Sequence, residues 1–557
     1  MSEFDEIYDF IVVGSGAGSM CAGLVMRKAG KSVLIIEKTK LVGGTTAKSG
    51  GIMWIPNNVF MKQEGIPDTP EQALTYLENV SGQSENAPGS TRERRAAYVE
   101  YAPRMLDFLM QNGLKFERPK YWPDYYDDRP GGSEAGRTVS PQLFNANELG
   151  EWKDKLRPGF NRFAASLEET MKLKTYKQSF SGKMLVLKVG IKTTLAKLMG
   201  KTILSAGAAL QGQMLQAALK AGVKFSLGTG VQELIVEDQA VTGVLAQKDG
   251  KPWRVGARLG VLVNAGGFAQ NQAMRDQYQP GTNTAWSNAT EGDTGEMIRE
   301  MMRHGAAIAQ MEEMVGYQTT MSPGVENDYI RPPGQTMTAS PHAILVDQSG
   351  VRYQNEGGSY MAYCKGMLER HKTVPAVPSW AIMDAQFVRN YMLGNTMPGS
   401  KKPESWYTQN YLHEADSIEG LATKLNIDPA TLKATVERFN GFVAANNDED
   451  FKRGARAYDN WLGDPYHKPS PTLGTIAEAP FYAVPMVPGD VGTYGGVVTD
   501  VSGRVLREDG SFIQGLYATG VSTAGVMGRF YPGAGSSVGP SMTWGFISAR
   551  HAAGVNA

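Results

Sequence analysis

The stretch "YDFIVVGSGAGSMCAGLVMRKAGKSVLIIEK", Tyr8 to Lys38, constrains the fold more than any other part of the chain. An apolar run turns through glycines into a helical pattern, then ends in a second apolar run that closes at Glu37. That order is a βαβ unit. Gly14 permits the tight turn, and Gly16, set among Ser15, Ala17 and Gly18, lets backbone approach a pyrophosphate. The N-terminus of the helix offers partial positive charge to the phosphates. Glu37, about twenty residues on and followed by Lys38, is placed to accept ribose hydroxyls. Ser19 stands where the strict pattern has a third glycine, and a residue this small still allows close packing. The unit predicts a bound dinucleotide, against a purely structural glycine turn.

The segment after Glu37 narrows the dinucleotide. "LVGGTTAKSGGIMW", Leu41 to Trp54, is a second Gly/Ser/Thr loop suited to lie along a ribityl chain and flavin ring, with Gly44, Thr45, Thr46, Ser49, Gly50 and Gly51 as its contacts. It resembles the matching segment of the fumarate reductase/3-ketosteroid dehydrogenase flavoprotein superfamily. "VLVNAGGFAQN", Val261 to Asn271, resembles that superfamily's strand and turn near the flavin, through Ala265, Gly266, Gly267 and Asn271. "GLYATGV", Gly515 to Val521, resembles its C-terminal strand before a helix, with Gly520 and then Ser537 and Val538 at the flavin. Val231, in "GTGVQEL", resembles the adenine-side contact. The resemblance spans the whole chain and implies FAD. It also implies an α/β architecture: a discontinuous Rossmann-like FAD-binding domain, residues 1–281 and 494–557, with an inserted α+β catalytic domain, residues 282–493. Covalent members carry a histidine just ahead of the second loop's turn, where this chain has Thr45, Thr46 and Lys48, so the FAD is expected to be non-covalent.

Composition agrees with a large chain of at least two domains. It has 557 residues with 56 basic and 56 acidic side chains, so no global field recruits nucleic acid. Cys21 and Cys364 alone give neither a disulfide framework nor a metal-ligand spacing, and no metal is expected. The N-terminus lacks a secretory pattern, and no apolar run is long enough to span a bilayer. The expected location is the cytoplasm.

"GRFYPGAGSSVG", Gly528 to Gly539, sets a tyrosine hydroxyl beside nearly bare backbone, an arrangement that can hold one polar ligand atom. The loop resembles the C-terminal signature of 3-ketosteroid Δ1-dehydrogenases, where a tyrosine O–H and a glycine N–H four residues later bind the C3 carbonyl oxygen. Carried over, these are Tyr531 and Gly535, an oxyanion hole for the enolate formed as the C2 proton leaves and the C1 hydride goes to FAD. The base in that family lies seven residues after the tyrosine of an RYxNE segment. "GVRYQNEGGSYMAYCKG" places Tyr360 there, with Tyr363 as the reserve. A third tyrosine that assists the base maps onto Tyr125 in "YWPDYYDDRPGG", with Tyr126 beside it. The implied partners are a lipophilic 3-ketosteroid and an external electron acceptor, quinone-like or artificial. The alternatives are a Δ4-(5α)-dehydrogenase, a fumarate-type reductase, or a flavin-binding membrane protein without redox turnover. A dicarboxylate enzyme needs histidine and arginine around the loop "GDVGTYGGVVTD", Gly489 to Asp500, which has neither; Arg529 is the one candidate anion partner left near the closing loop.

Residues 150–204 look like an addition to the family pattern. From Thr170 to Gln232 no acidic residue occurs, while lysines interrupt the apolar run "GKMLVLKVGIKTTLAKLMGKTIL". A basic, apolar segment on a neutral chain suits peripheral contact with the inner face of a membrane. Lys188 and Lys192 fall roughly opposite Lys197 and Lys201 at helical spacing, so a single straight helix is not expected to sort charge from apolar surface, and Gly190 is a candidate break. A subunit-interface arm or a packed lid with solvated lysines is the plainer alternative.

Overall fold

The computed structural model describes residues 3–161, 163–325, 331 and 334–555. Its largest sheet has eight strands: β1 (Glu6–Val13), β2 (Val33–Ile36), β3 (Lys224–Ser226), β4 (Gly230–Glu237), β5 (Ala240–Lys248), β6 (Lys251–Val263), β7 (Arg504–Leu506) and β8 (Phe512–Ala518). They run in the order β7-β8-β5-β6-β1-β2-β3, with β4 added on β5. β1 pairs in parallel with β2 and β6, Val13 lying opposite Ile36 and Val263, and β8 joins β6 in parallel from near the end of the chain. The sequence dictates a sheet covered on both faces. In β1 and β2, Phe10, Val12, Val33 and Ile35 enter one core, while Ile11, Val13, Leu34 and Ile36 enter the other.

On the first of these faces the helix Ala17–Lys28 packs against the closing helix Val538–Ala552, backbone against backbone. A Cβ on Gly18 would lie 2.4 Å from the Ser541 carbonyl oxygen, and one on Gly545 would lie 2.3 Å from that of Gly18. Close approach is therefore made at Gly18. Ser19 has a different task, its hydroxyl lying 2.9 Å from the Asn264 amide just past β6.

A second, antiparallel sheet is built from Ala343–Val346, Ser379–Met383, Phe481–Met486 and His413–Ala415. It too alternates. Ile344, Val346, Ile382 and Ala483 pack under the helices Ile418–Lys424 and Pro429–Ala445, while Leu345, Ala381, Met383 and Val484 face Tyr363, Phe387 and Trp406. The fold is thus an α/β sheet covered on both faces combined with an α+β unit.

Residues 150–204 are strapped to both parts. Val42 N–H donates to the Lys155 carbonyl (2.7 Å) and Arg157 N–H to that of Val42 (2.9 Å). At the far side Lys174 Nζ donates to the carbonyls of Trp461 (3.0 Å) and Leu462 (2.7 Å), and Lys177 Nζ to that of Pro398 (2.6 Å). The helix Phe180–Leu198 runs through Gly190 without a break, capped by the Ser179 side chain. As the lysine spacing predicts, it does not sort charge cleanly from apolar surface, and Val186, 41% exposed, lies off the main apolar row. Phe180, Met184, Leu187, Ile191, Leu195 and Leu198 form one exposed apolar stripe at the 3.6-residue repeat, while Gly182, Val189 and Ala196 are buried. At that repeat Lys183 and Lys197 fall along one edge of the stripe, Lys188 and Lys192 along the other. Among the described residues no helix is long and apolar enough to cross a membrane.

Candidate active site

An elongated cavity of about 1090 Å³ opens at the C-terminal ends of β1 and β6, the place where open α/β sheets receive ligands. Most of the residues expected at a cofactor line it. Gly14, Ser15 and Gly16 form one wall with Glu37 and Lys38; Gly44, Thr45, Thr46 and Ser49 form another. Val231 lies toward one end, and Ala265, Gly266, Gly520, Ser537, Val538 and Tyr531 complete the lining. Gly14 has φ +93°, and a Cβ there would lie 2.3 Å from the Asn264 carbonyl oxygen. The helices starting after Gly16 and Ser537 have no side-chain cap, so their first turns offer N–H groups to a ligand, apart from Gly539 N–H, which donates to the Gly535 carbonyl at 2.9 Å. Two uncapped helix starts and a glycine wall suit a long, doubly anionic cofactor, and these residues fit FAD.

The other expected contacts are not among the residues that line the cavity. Ala17 and Gly18 are buried in the helix packing, and Gly50 packs on Leu167. Gly51 has φ +63° and a Cβ there would lie 2.7 Å from the backbone of Gly207, and Gly267 leaves room for the Thr493 hydroxyl. Asn271 caps the helix Gln272–Tyr278, its side chain accepting from Met274 N–H at 3.2 Å. Glu37 is 8% exposed and its oxygens already have partners. One accepts from Ser15 N–H (3.1 Å) and Oγ (2.6 Å), the other from Thr39 N–H and Oγ (both 2.9 Å). A ribose hydroxyl would compete with the two rotatable side-chain hydroxyls.

Sequence reasoning missed Arg157 and Asp293, which also line the cavity. Arg157 lies 3.4 Å from Glu291 and 3.3 Å from the Thr39 hydroxyl. Asp293 accepts from Gly267 N–H, and burial pushes its carboxyl up to about 6. Neither belongs to a recognisable pattern, since each reaches the cavity through tertiary packing alone.

At the Tyr531 end three tyrosines from distant segments meet. Ring centroids are 5.1 Å apart for Tyr360 and Tyr531, 5.3 Å for Tyr125 and Tyr360, and 6.0 Å for Tyr125 and Tyr531. Local chemistry fixes them. Tyr125 N–H and the Tyr76 hydroxyl both donate to the Pro532 carbonyl, at 2.8 and 2.6 Å. Asp124 accepts from Trp54 Nε1 at 2.8 Å and pairs with buried Arg137, so the segment before Tyr125 is anchored to the strand Met53–Trp54. Gly535, with φ +96°, has no room for a side chain: a Cβ would lie 2.5 Å from the Ile52 carbonyl oxygen. Tyr360 opens the helix Tyr360–His371. Tyr363 is buried in the core under the second sheet instead, with its hydroxyl 3.1 Å from that of Thr338.

Three further tyrosines surround the cluster and were not expected. Tyr458 stacks on Tyr125 at 4.2 Å, Tyr317 lies 6.2 Å from Tyr360, and Tyr494 lies 6.0 Å from Tyr531 while donating to the Ser536 carbonyl at 2.7 Å. Burial raises the hydroxyls of the cluster above the ordinary phenol value. Tyr531 is pushed up only to about 12, because hydrogen bonding to Tyr360 and to the N–H groups of Ser537 and Gly535 opposes burial. Tyr360 is held well above 10 by burial and by its two tyrosine neighbours, Tyr125 and Tyr531. Tyr531 is therefore a protonated donor at neutral pH, with the Gly535 N–H beside it.

The cations that a dicarboxylate would need are already neutralised. Arg275 forms a buried pair with Asp490, in the loop that would carry the clamp. Arg529 pairs with Glu312 and, at 2.9 Å, with Glu313.

Comparison with known proteins agrees with this geometry. Residues 9–538 match the FAD binding domain family. The 3-oxosteroid 1-dehydrogenases of Mycobacterium tuberculosis (strain ATCC 25618 / H37Rv) and Mycolicibacterium smegmatis are 37% and 38% identical to this chain; the first alignment covers 98% of each protein, the second 97% of this chain and 96% of its relative. The crystal structure of 3-ketosteroid delta1-dehydrogenase from Sterolibacterium denitrificans, in complex with 1,4-androstadiene-3,17-dione, superposes with a TM-score of 0.93. It is 35% identical and covers 99% of this chain and 100% of its own. The chain belongs to the FAD-binding flavoprotein family, on its 3-ketosteroid Δ1-dehydrogenase branch.

Proposed function

We propose that the chain catalyses the 1,2-dehydrogenation of 3-ketosteroids. The observation that carries this reading is the meeting of Tyr125, Tyr360 and Gly535 around Tyr531, which lines the cofactor cavity. Bound FAD supplies the acceptor for the C1 hydride. Gly14, Gly16, Thr45, Thr46 and Ser537 would hold it without a covalent link, since no histidine stands in the second loop. Tyr531 O–H and Gly535 N–H hold the C3 carbonyl oxygen and stabilise enolate charge, on the order of a few kcal/mol per donor. Tyr360 takes the C2 proton, and Tyr125, braced by Tyr458, shares the charge that would otherwise rest on Tyr360 alone. A quinone-like or artificial acceptor completes turnover.

In this reading residues 1–281 and 494–557 bind the flavin and 282–493 form the catalytic part, in line with the strands of the two sheets. The helix Phe180–Leu198 docks peripherally on a membrane. Its outward apolar stripe, edged by lysines on both sides, supports this. The test is anaerobic: the yellow protein is mixed with a Δ4-3-ketosteroid and flavin absorbance is followed, with succinate as control. Bleaching by the steroid alone is expected; bleaching by succinate, or by neither, rejects the reading.

A further inference from the structure

Next to the cofactor cavity lies a small space of about 20 Å³, walled in part by Arg94, Tyr494, Gly520, Val521, Ser537 and Trp544. Gly520, Val521 and Ser537 also line the cofactor cavity, so the two spaces share part of their wall. Arg94 is 3% exposed. Its Nη1 donates to the carbonyls of Gly89 (2.8 Å) and Ala524 (3.4 Å), and its guanidinium lies 4.5 Å from the centre of the Trp544 ring. Its Nε has no hydrogen-bond partner, and no carboxylate forms an ion pair with it among the described residues. The acid that acts on it from a distance, Asp500, is itself bonded to Arg504 at 2.7 Å. Burial pulls Arg94 down to about 10, so it remains a cation at neutral pH.

A buried unpaired charge is destabilising, and a fold that keeps one leaves its field uncancelled nearby. We propose that Arg94 sets the reduction potential of the bound FAD, its fixed positive charge favouring the reduced flavin. The inference rests on the reading above, in which the flavin ring lies at the Gly520–Ser537 end of the cavity. The charge balance is simple. The steroid loses a proton from C2 and a hydride, one hydrogen with two electrons, from C1. A neutral flavin that takes up a hydride gains one negative charge. A cation beside this shared, low-dielectric wall attracts that charge and leaves the oxidised ring unaffected to first order. Arg94 touches neither substrate nor reacting atoms and is a positioning residue.

The test uses holoenzyme equilibrated anaerobically with a reference dye of known potential, without steroid. In Arg94→Met the equilibrium constant for flavin reduction is expected to fall at least tenfold, about 30 mV for a two-electron couple. Arg94→Lys keeps the charge and is expected to stay within threefold of wild type. Arg94→Gln, which retains hydrogen-bonding atoms for the Gly89 and Ala524 carbonyls, decides the matter if the methionine variant does not fold. A neutral variant with full FAD content and a potential unchanged within twofold overturns the proposal. Wild-type protein that holds no FAD would instead reject the reading beneath it.

Discussion

In the proposed mechanism Tyr531 and Tyr360 do opposite things with a proton, and their surroundings bear on both. Tyr531 keeps its proton to about 12, so its donor role survives alkaline conditions. Tyr360 is raised well above 10, so the fraction able to accept the C2 proton grows roughly tenfold per pH unit below that point. The expected profile of kcat/KM therefore climbs through the alkaline range without a falling limb below pH 10, read by initial rates in overlapping buffers; a maximum near neutrality contradicts the assignment. In Tyr360→Phe, deuterium placed at C2 of the steroid is expected to be retained in water, and wash-out at the wild-type rate moves the base elsewhere. The three tyrosines at the centre were legible because each lies in a local motif. Tyr317 and Tyr458 were not, since they arrive from segments with no chemical pattern, and Tyr494 was read only as part of the loop Gly489–Asp500; all three acquire meaning through packing. The same limit applies to Gly51, Gly267 and Asn271: glycine-rich or amide positions near a cofactor loop read as contacts, whereas here they serve close packing and a helix cap.

Among the elements, the nucleotide-binding helix was readable because its glycines, its apolar run and Glu37 are adjacent in sequence. Its partner was not, because the packing of Gly18 against Ser541 and Gly545 joins residues more than five hundred positions apart. Gly18→Ala is expected to destabilise by about 1–3 kcal/mol through overpacking, seen as a lower melting temperature by calorimetry; an unchanged melting temperature would show that the two helices can separate freely. The helix Phe180–Leu198 teaches the converse. Its lysines lie on two opposite edges, as their spacing suggested, yet Phe180, Met184, Leu187, Ile191, Leu195 and Leu198 still form one outward apolar row that spacing alone did not show. Replacing Leu187 and Ile191 with glutamate is expected to abolish co-sedimentation with anionic vesicles while leaving steroid turnover in detergent near wild type. Equal sedimentation of variant and wild type contradicts membrane docking.

Across the whole molecule, the cofactor cavity draws its walls from segments as far apart as Val13, Arg157, Asp293 and Ser541. FAD therefore ties together parts of the chain that the sequence separates. A ligand at a hundred times its Kd stabilises by about 2.7 kcal/mol, so deflavinated protein is expected to melt lower and to recover with FAD but not with NAD; equal recovery with both contradicts a site selective for the flavin cofactor. The central claim is that Tyr531 and Gly535 hold the steroid carbonyl while the flavin is reduced. The most direct measurement is single-turnover flavin reduction by a Δ4-3-ketosteroid in Tyr531→Phe, followed anaerobically by stopped flow. A rate about 10²–10³-fold below wild type, with FAD content and visible spectrum unchanged, is predicted. A rate within threefold of wild type would contradict it.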